Sequence, residues 1–211
     1  RDTMWFDVYL AHILFLKYPE LEKELETIPS DQLQMSFSSE DKKSFQRTID
    51  QMLMSPSQSL KRSNNTGLVI FLYQTFQTQF HLWDYKNYPK HSVPPKNPVL
   101  LELKNYLLED SKLEEVRCIS GGIVTMLFCD VDDYTHSDSD ESVSITNLAI
   151  QFEGVPEIAY NHLKLLNGGY TVSLFRAQER TENLLGAYLE VSSNHSAYFT
   201  FTSAQIQNHV P

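Results

Sequence analysis

The feature that most constrains this chain is a change of hydropathy period. Up to residue 115, apolar side chains recur mainly at helical spacing. Beyond it they alternate, or run in short blocks bounded by glycine and polar turns. Helices bury one stripe and half-buried strands bury every second residue, so the two textures cannot belong to one type of element. The pattern predicts an α+β fold: a mainly helical region over 1–115, then an antiparallel sheet region over 116–211, packed as two regions or around one continuous core.

In the first region, Thr3 is placed to cap a helix from Met4 to Tyr18, with Phe6, Leu10, Ile13 and Leu14 on one side. Pro19 opens a second, solvated helical stretch through "ELEKELE". Ser38 followed by Asp41 has the form of a capping box. It precedes a stripe of Phe45, Ile49, Met52 and Leu53 that "SPSQS" ends. Gly67 to Trp83 reads as a third long helix, although its β-branched and aromatic content also suits a strand. Residues 84–98, "DYKNYPKHSVPPKNP", hold four prolines and form a connecting loop. Asn97 and Pro98 then start a helix expected to run through Leu108.

In the second region, Ile123–Val131 and Val143–Phe152 are strands. Gly154 to Glu157 opens a helix that "NGG" at 167–169 ends. Tyr170–Ala177, Leu184–Val191 and Tyr198–Thr202 are three more strands, with "SSNHS" as the turn between the last two. Ser203 is expected to cap a short terminal helix. The predicted order is β-β-α-β-β-β: about five antiparallel strands and one packing helix.

Charge narrows the partners. The net charge is −10, and it is uneven: residues 1–115 hold 13 Lys/Arg against 16 Asp/Glu, residues 116–211 hold 4 against 11. Such a chain is a poor ligand for nucleic acid or an anionic membrane surface, both of which need clustered Lys and Arg. A protein with a basic or amphipathic segment is the matching partner. "VYLAHILFL" is too short for a membrane span, carries His12 and has no basic leader, so no transmembrane segment is predicted. Cys118 and Cys129 sit in apolar strand sequence and read as free thiols of a reducing, cytoplasmic compartment, with a disulfide across neighbouring strands as the alternative.

The densest chemistry lies in "GGIVTMLFCDVDDYTHSDSDES". Asp130, Asp132, Asp133, Asp138, Asp140 and Glu141 place six carboxylates in twelve residues. "VTMLFCDVDDYT" is similar to the metal-binding strand of class III nucleotide cyclases. That resemblance implies Asp130 as a metal ligand, with Tyr134-Thr135 in place of Phe-Thr. The second Asp of that family, in a Gly-Asp hairpin, has no counterpart, because "LLNGGYTVSLF" offers Asn167-Gly168-Gly169. "MLFCDVDDYT" also resembles the first motif of haloacid dehalogenase-type phosphatases. That would make Asp130 a nucleophile and Asp132 a general acid on one strand face, but Tyr134 stands where Thr or Val belongs. Read as a calcium loop from Asp130, the stretch has Glu141 in the twelfth place but Tyr134 and Thr135 where an acid and a glycine are required. A metal site on Asp130, Asp132 and Asp133, serving a hydrolase or cyclase-like enzyme, is therefore the alternative reading. The leading one is a charged loop between two strands.

Other signatures are missing. The seven histidines show no zinc spacing, and no nucleophile elbow, dinucleotide fingerprint or phosphate loop occurs. Arg176 and Arg180 form an anion site or meet carboxylates, the commoner fate of such arginines. These observations favour a non-enzymatic interaction module, such as an acidic adaptor or a secretion or assembly chaperone subunit, without a cofactor or metal. Its expected contact residues are Tyr85, Tyr88 and His91 in the Pro-rich loop, and Asp138, Asp140 and Glu141 in the acidic one.

Overall fold

The computed structural model describes residues 2–55, 66–80, 96–135, 142–181 and 183–208. Two compact units divide the chain, Arg1–Val93 and Pro94–Pro211. The division falls within the Pro-rich stretch, so the short helix opened by Pro98 belongs with the sheets.

The first unit has four helices among its described residues: α1 (Asp2–Lys17), α2 (Pro19–Thr27), α3 (Ser39–Met54) and α4 (Thr66–Phe80). Helix α4 settles as a helix the stretch whose composition also suited a strand. At the start of α3 the Ser38 hydroxyl accepts from Asp41 N–H at 3.1 Å, and the Asp41 carboxylate accepts from Ser38 N–H at 3.2 Å. This is the expected capping box, satisfying two backbone donors reciprocally. Leu10, Leu14, Leu21, Ile49, Leu53, Val69, Ile70 and Leu72 form the core. Phe37, Phe45 and Phe71 add a ring cluster with centroids 5.1–6.4 Å apart.

The far end of α3 is held by the end of α1. The Lys17 ammonium donates to the carbonyls of Met52 at 3.0 Å, Leu53 at 2.9 Å and Ser55, and the Tyr18 hydroxyl donates to Met52 at 3.0 Å. A helix C-terminus leaves its last carbonyls without intrahelical donors and carries partial negative charge. An ammonium with three donors suits it.

The second unit is mixed α+β with antiparallel sheets. Helix α5 (Pro98–Leu103) leads into β1 (Tyr106–Leu107), β2 (Lys112–Ile119), β3 (Ile123–Cys129), β4 (Val131–Asp133), β5 (Val143–Ile145) and β6 (Leu148–Glu153). A single 3-10 turn and α6 (Tyr160–Lys164) follow. The chain ends in β7 (Tyr170–Thr181), β8 (Leu184–Val191), β9 (Ser196–Phe201) and β10 (Ser203–Asn208). Among the described residues these make a three-stranded sheet, β1-β4-β5, and a seven-stranded one, β10-β6-β3-β2-β7-β8-β9.

The expected five strands in β-β-α-β-β-β order are therefore too few. Strand β2 alternates Leu113, Val116 and Cys118 only after a bulge between Leu113 and Glu115, which breaks its period in the sequence. Glycines at positive φ, Gly121 and Gly122, turn it into β3. The helix after Asn97 stops at Leu103 rather than Leu108, and Tyr106-Leu107 pairs with β4 instead. The expected terminal helix is strand β10. Ala204 and Ile206 alternate with Gln205 and Gln207, and the strand pairs with β6 from Ser203↔Glu153 to Asn208↔Leu148.

The large sheet curls back on itself. Strands β9 and β10 stand at opposite ends of the strand order, yet only Thr202 separates them in sequence. Phe152 of β6 meets Phe199 and Phe201 of β9 edge-on, with centroids 5.1 and 5.0 Å away. A strand that bends from one layer to the next closes a corner of this kind. Inside lie Leu113, Met126, Phe128, Ile150, Phe152, Leu189, Phe199 and Phe201, all 0% exposed.

Strand β2 meets β7 only at Lys112↔Thr171 and Leu113↔Tyr170. Beyond that point the two strands part, and the Asn167 side chain takes the vacant place on β2. Its carbonyl accepts from Val116 N–H at 2.5 Å and its amide donates to Val116 O at 3.1 Å.

Candidate functional site

Asp130, Asp132 and Asp133, the carboxylates of the acidic stretch among the described residues, do not gather. Asp130 is exposed and holds a left-handed backbone, φ 58°, between the end of β3 and the start of β4. That bend ends one strand and starts another, so the alternation expected to bring Asp130 and Asp132 to one face is interrupted between them. On β4, Asp132 is half-buried in a row with Leu107 and Ser144, and Asp133 is buried in a row with Tyr106 and Val143. Adjacent strand residues point to opposite faces. The Asp133 carboxylate accepts the Thr135 N–H at 2.7 Å, a local turn bond. Among the described residues no three His, Cys, Asp or Glu side chains are arranged to hold a metal ion. Asp138, Asp140 and Glu141, and Tyr85, Tyr88 and His91 of the Pro-rich loop, lie outside the described residues.

The cysteines stand apart. Cys118 is opposite Val124, and Cys129 is opposite Lys112 at the other end of the same hairpin. Five residues along β3 separate those positions, about 16 Å at strand rise. A disulfide needs Cα atoms within roughly 7 Å. Both are free thiols, and burial raises each above its ordinary value. Raised thiols are poor nucleophiles. In the helical unit, burial pushes the Lys17 ammonium down to about 8.

The arrangement with the most unusual chemistry is on β7. Its early edge pairs with β2, and Val172 N–H donates to Ser111 O at 2.8 Å. After a bulge between Val172 and Leu174, no strand among the described residues continues that ladder. Side chains stand in for it. The Glu109 carboxylate accepts from Phe175 N–H at 3.5 Å, and Arg176 donates to the Phe175 carbonyl at 2.6 Å. Glu109 and Arg176 are also paired to each other. An ion pair thus occupies one step of an open sheet edge.

Beside it, the outer face of the β7-β8-β9 layer is polar, exposed at Arg176 and buried toward β8 and β9. Gln178, Gly186 and Thr200 share one cross-strand row; Arg176, Tyr188 and Tyr198 share the next. Arg180, Tyr188, Tyr198 and Thr200 are all buried. Gly186 makes room for the Arg180 stem: a Cβ there would lie 2.7 Å from the Tyr198 hydroxyl and 3.0 Å from Arg180 Cδ. The Gln178 side-chain carbonyl is buried with no donor, a state that most buried polar atoms avoid.

In the sequence Arg176 reads only as a carboxylate partner or half of an anion site, and Glu109 is the carboxylate it meets. Glu109, Gln178 and Gly186 carried no signal. Glu109 lies 67 residues before the Arg176 it meets, and Gln178 and Gly186 face each other only through the β7-β8 register. No family model, curated protein or solved structure matches this chain.

Proposed function

We propose that this chain is a non-enzymatic protein–protein interaction module, an acidic adaptor or assembly-chaperone subunit that receives a basic or amphipathic segment of a partner. The observation that carries this reading is where the charge sits. Pro94–Pro211 holds 7 Lys/Arg against 16 Asp/Glu, net −9; Arg1–Val93 holds 10 against 11, net −1. Glu102, Asp110, Glu114, Asp130 and Glu157 are exposed on the sheet unit. Carboxylates of one sign on one unit steer a positive partner and repel a negative one. Exposed Ile119, Ile158 and Leu165 give an amphipathic segment apolar contact on the same unit.

Affinity capture from the source organism at low salt tests this. The expected result is a stoichiometric partner with a basic segment, released as salt shortens the screening length to about 3 Å near 1 M. Recovery of no stoichiometric partner, or of one whose binding ignores salt, sinks the reading.

A further inference from the structure

We infer that the open edge of β7, from Ala177 to Glu179, is a docking strand for an extended, Lys- or Arg-bearing segment of a partner protein; this rests on the acidic recognition reading above. The edge is defined by hydrogen bonds. Phe175 directs its N–H and C=O away from β8: the N–H donates to the Glu109 carboxylate and the C=O accepts from Arg176. From Leu174↔Glu190 to Glu179↔Leu185 the β7-β8 register is unbroken. Backbone direction repeats every two residues, so Ala177 and Glu179 present their N–H and C=O on the same outward edge as Phe175. Among the described residues no strand pairs there.

Such an edge is the platform that strand addition uses, with backbone bonds giving affinity and alternate side chains giving selectivity. The Glu109–Arg176 pair already occupies the Phe175 step and so sets where an added strand must stop. It also cancels the Arg176 charge. Charge chooses the occupant: the unit carries net −9, and Lys and Arg side chains supply the matching positive charge together with hydrogen-bond donors.

The test uses the full chain and two synthetic peptides of equal length and charge: one alternating Lys with Val, one an Ala/Lys helix former. The alternating peptide is expected to bind roughly tenfold more tightly. It should slow hydrogen exchange at the Ala177 and Glu179 amides, read by NMR. Ala177→Pro removes one outward N–H without touching the β7-β8 ladder, a change sheet edges accept. It should abolish the preference while salt-dependent binding of the helical peptide persists. Equal binding of both peptides, with those two amides unchanged, overturns the docking strand and leaves acidic recognition standing. Binding of neither peptide at low salt overturns both. Should the proline variant fail to fold, the exchange measurement on the unaltered chain decides.

Discussion

Lys17 concentrates the residue-scale physics of the helical unit. Its ammonium serves three carbonyls at the end of α3, yet burial lowers its proton affinity to about 8 from 10.5. Below pH 8 both folded and unfolded chains keep this proton, and the cost of burying the charge is fully present. Between pH 8 and 10.5 the unfolded chain binds more proton than the folded one, so this group makes stability rise with pH. Tyr18 acts in the opposite sense above pH 10, because burial and Glu20 raise it. The clean window is therefore pH 8 to 10. Urea denaturation across it should show the wild-type chain gaining stability relative to Lys17→Met. A pH-independent difference between the two proteins would contradict the assignment. The thiols of Cys118 and Cys129 titrate alike in both proteins and cancel in the comparison.

At the scale of elements, legibility followed period. Helix α3 was readable because its capping box and its stripe from Phe45 to Leu53 are local in sequence. Strands β3, β6, β7, β8 and β9 were readable from apolar content bounded by turns. Strand β2 was not, because its bulge shifts Val116 out of step with Leu113. Strand β10 was not, because a serine after an apolar run signals a helix cap equally well; only pairing with β6 distinguishes the two. The site was less legible still. The carboxylates of 130–133 drew attention by density, but a left-handed Asp130 and the alternation of β4 disperse them. Asn167 shows the same limit: "NGG" marks a helix end, and nothing local says that its amide replaces a strand. Asn167→Ala removes both bonds to Val116 and leaves that backbone amide and carbonyl without partners. The expected loss is about 1–3 kcal/mol, with an unchanged denaturant slope. A loss within error of zero would mean that water satisfies Val116 equally well.

On the scale of the whole molecule, the two units differ in kind. The helical unit is nearly neutral, while the sheet unit carries almost all the net charge and an internal core of rings and aliphatics. Net charge is a statement about association rather than fold, so under the proposed function the sheet unit is the one that a positive partner would meet. The sheet unit has what autonomous folding requires. Phe128, Phe152, Phe199 and Phe201 are among the largest fully buried side chains, and all four belong to it. Its strand order runs from β10 to β9 through bulges in β2 and β7, and only Thr202 separates those two end strands in sequence. A domain of this length buries about two thirds of its unfolded surface, enough for stability without disulfides. Residues 94–211 expressed alone should therefore give a β-type circular dichroism spectrum and one cooperative thermal transition. Both cysteines should react with a thiol reagent on unfolding, since neither is bridged. A non-cooperative transition, or a chain soluble only with residues 1–93 attached, would show that the sheet's closure at Thr202 is insufficient to hold its core.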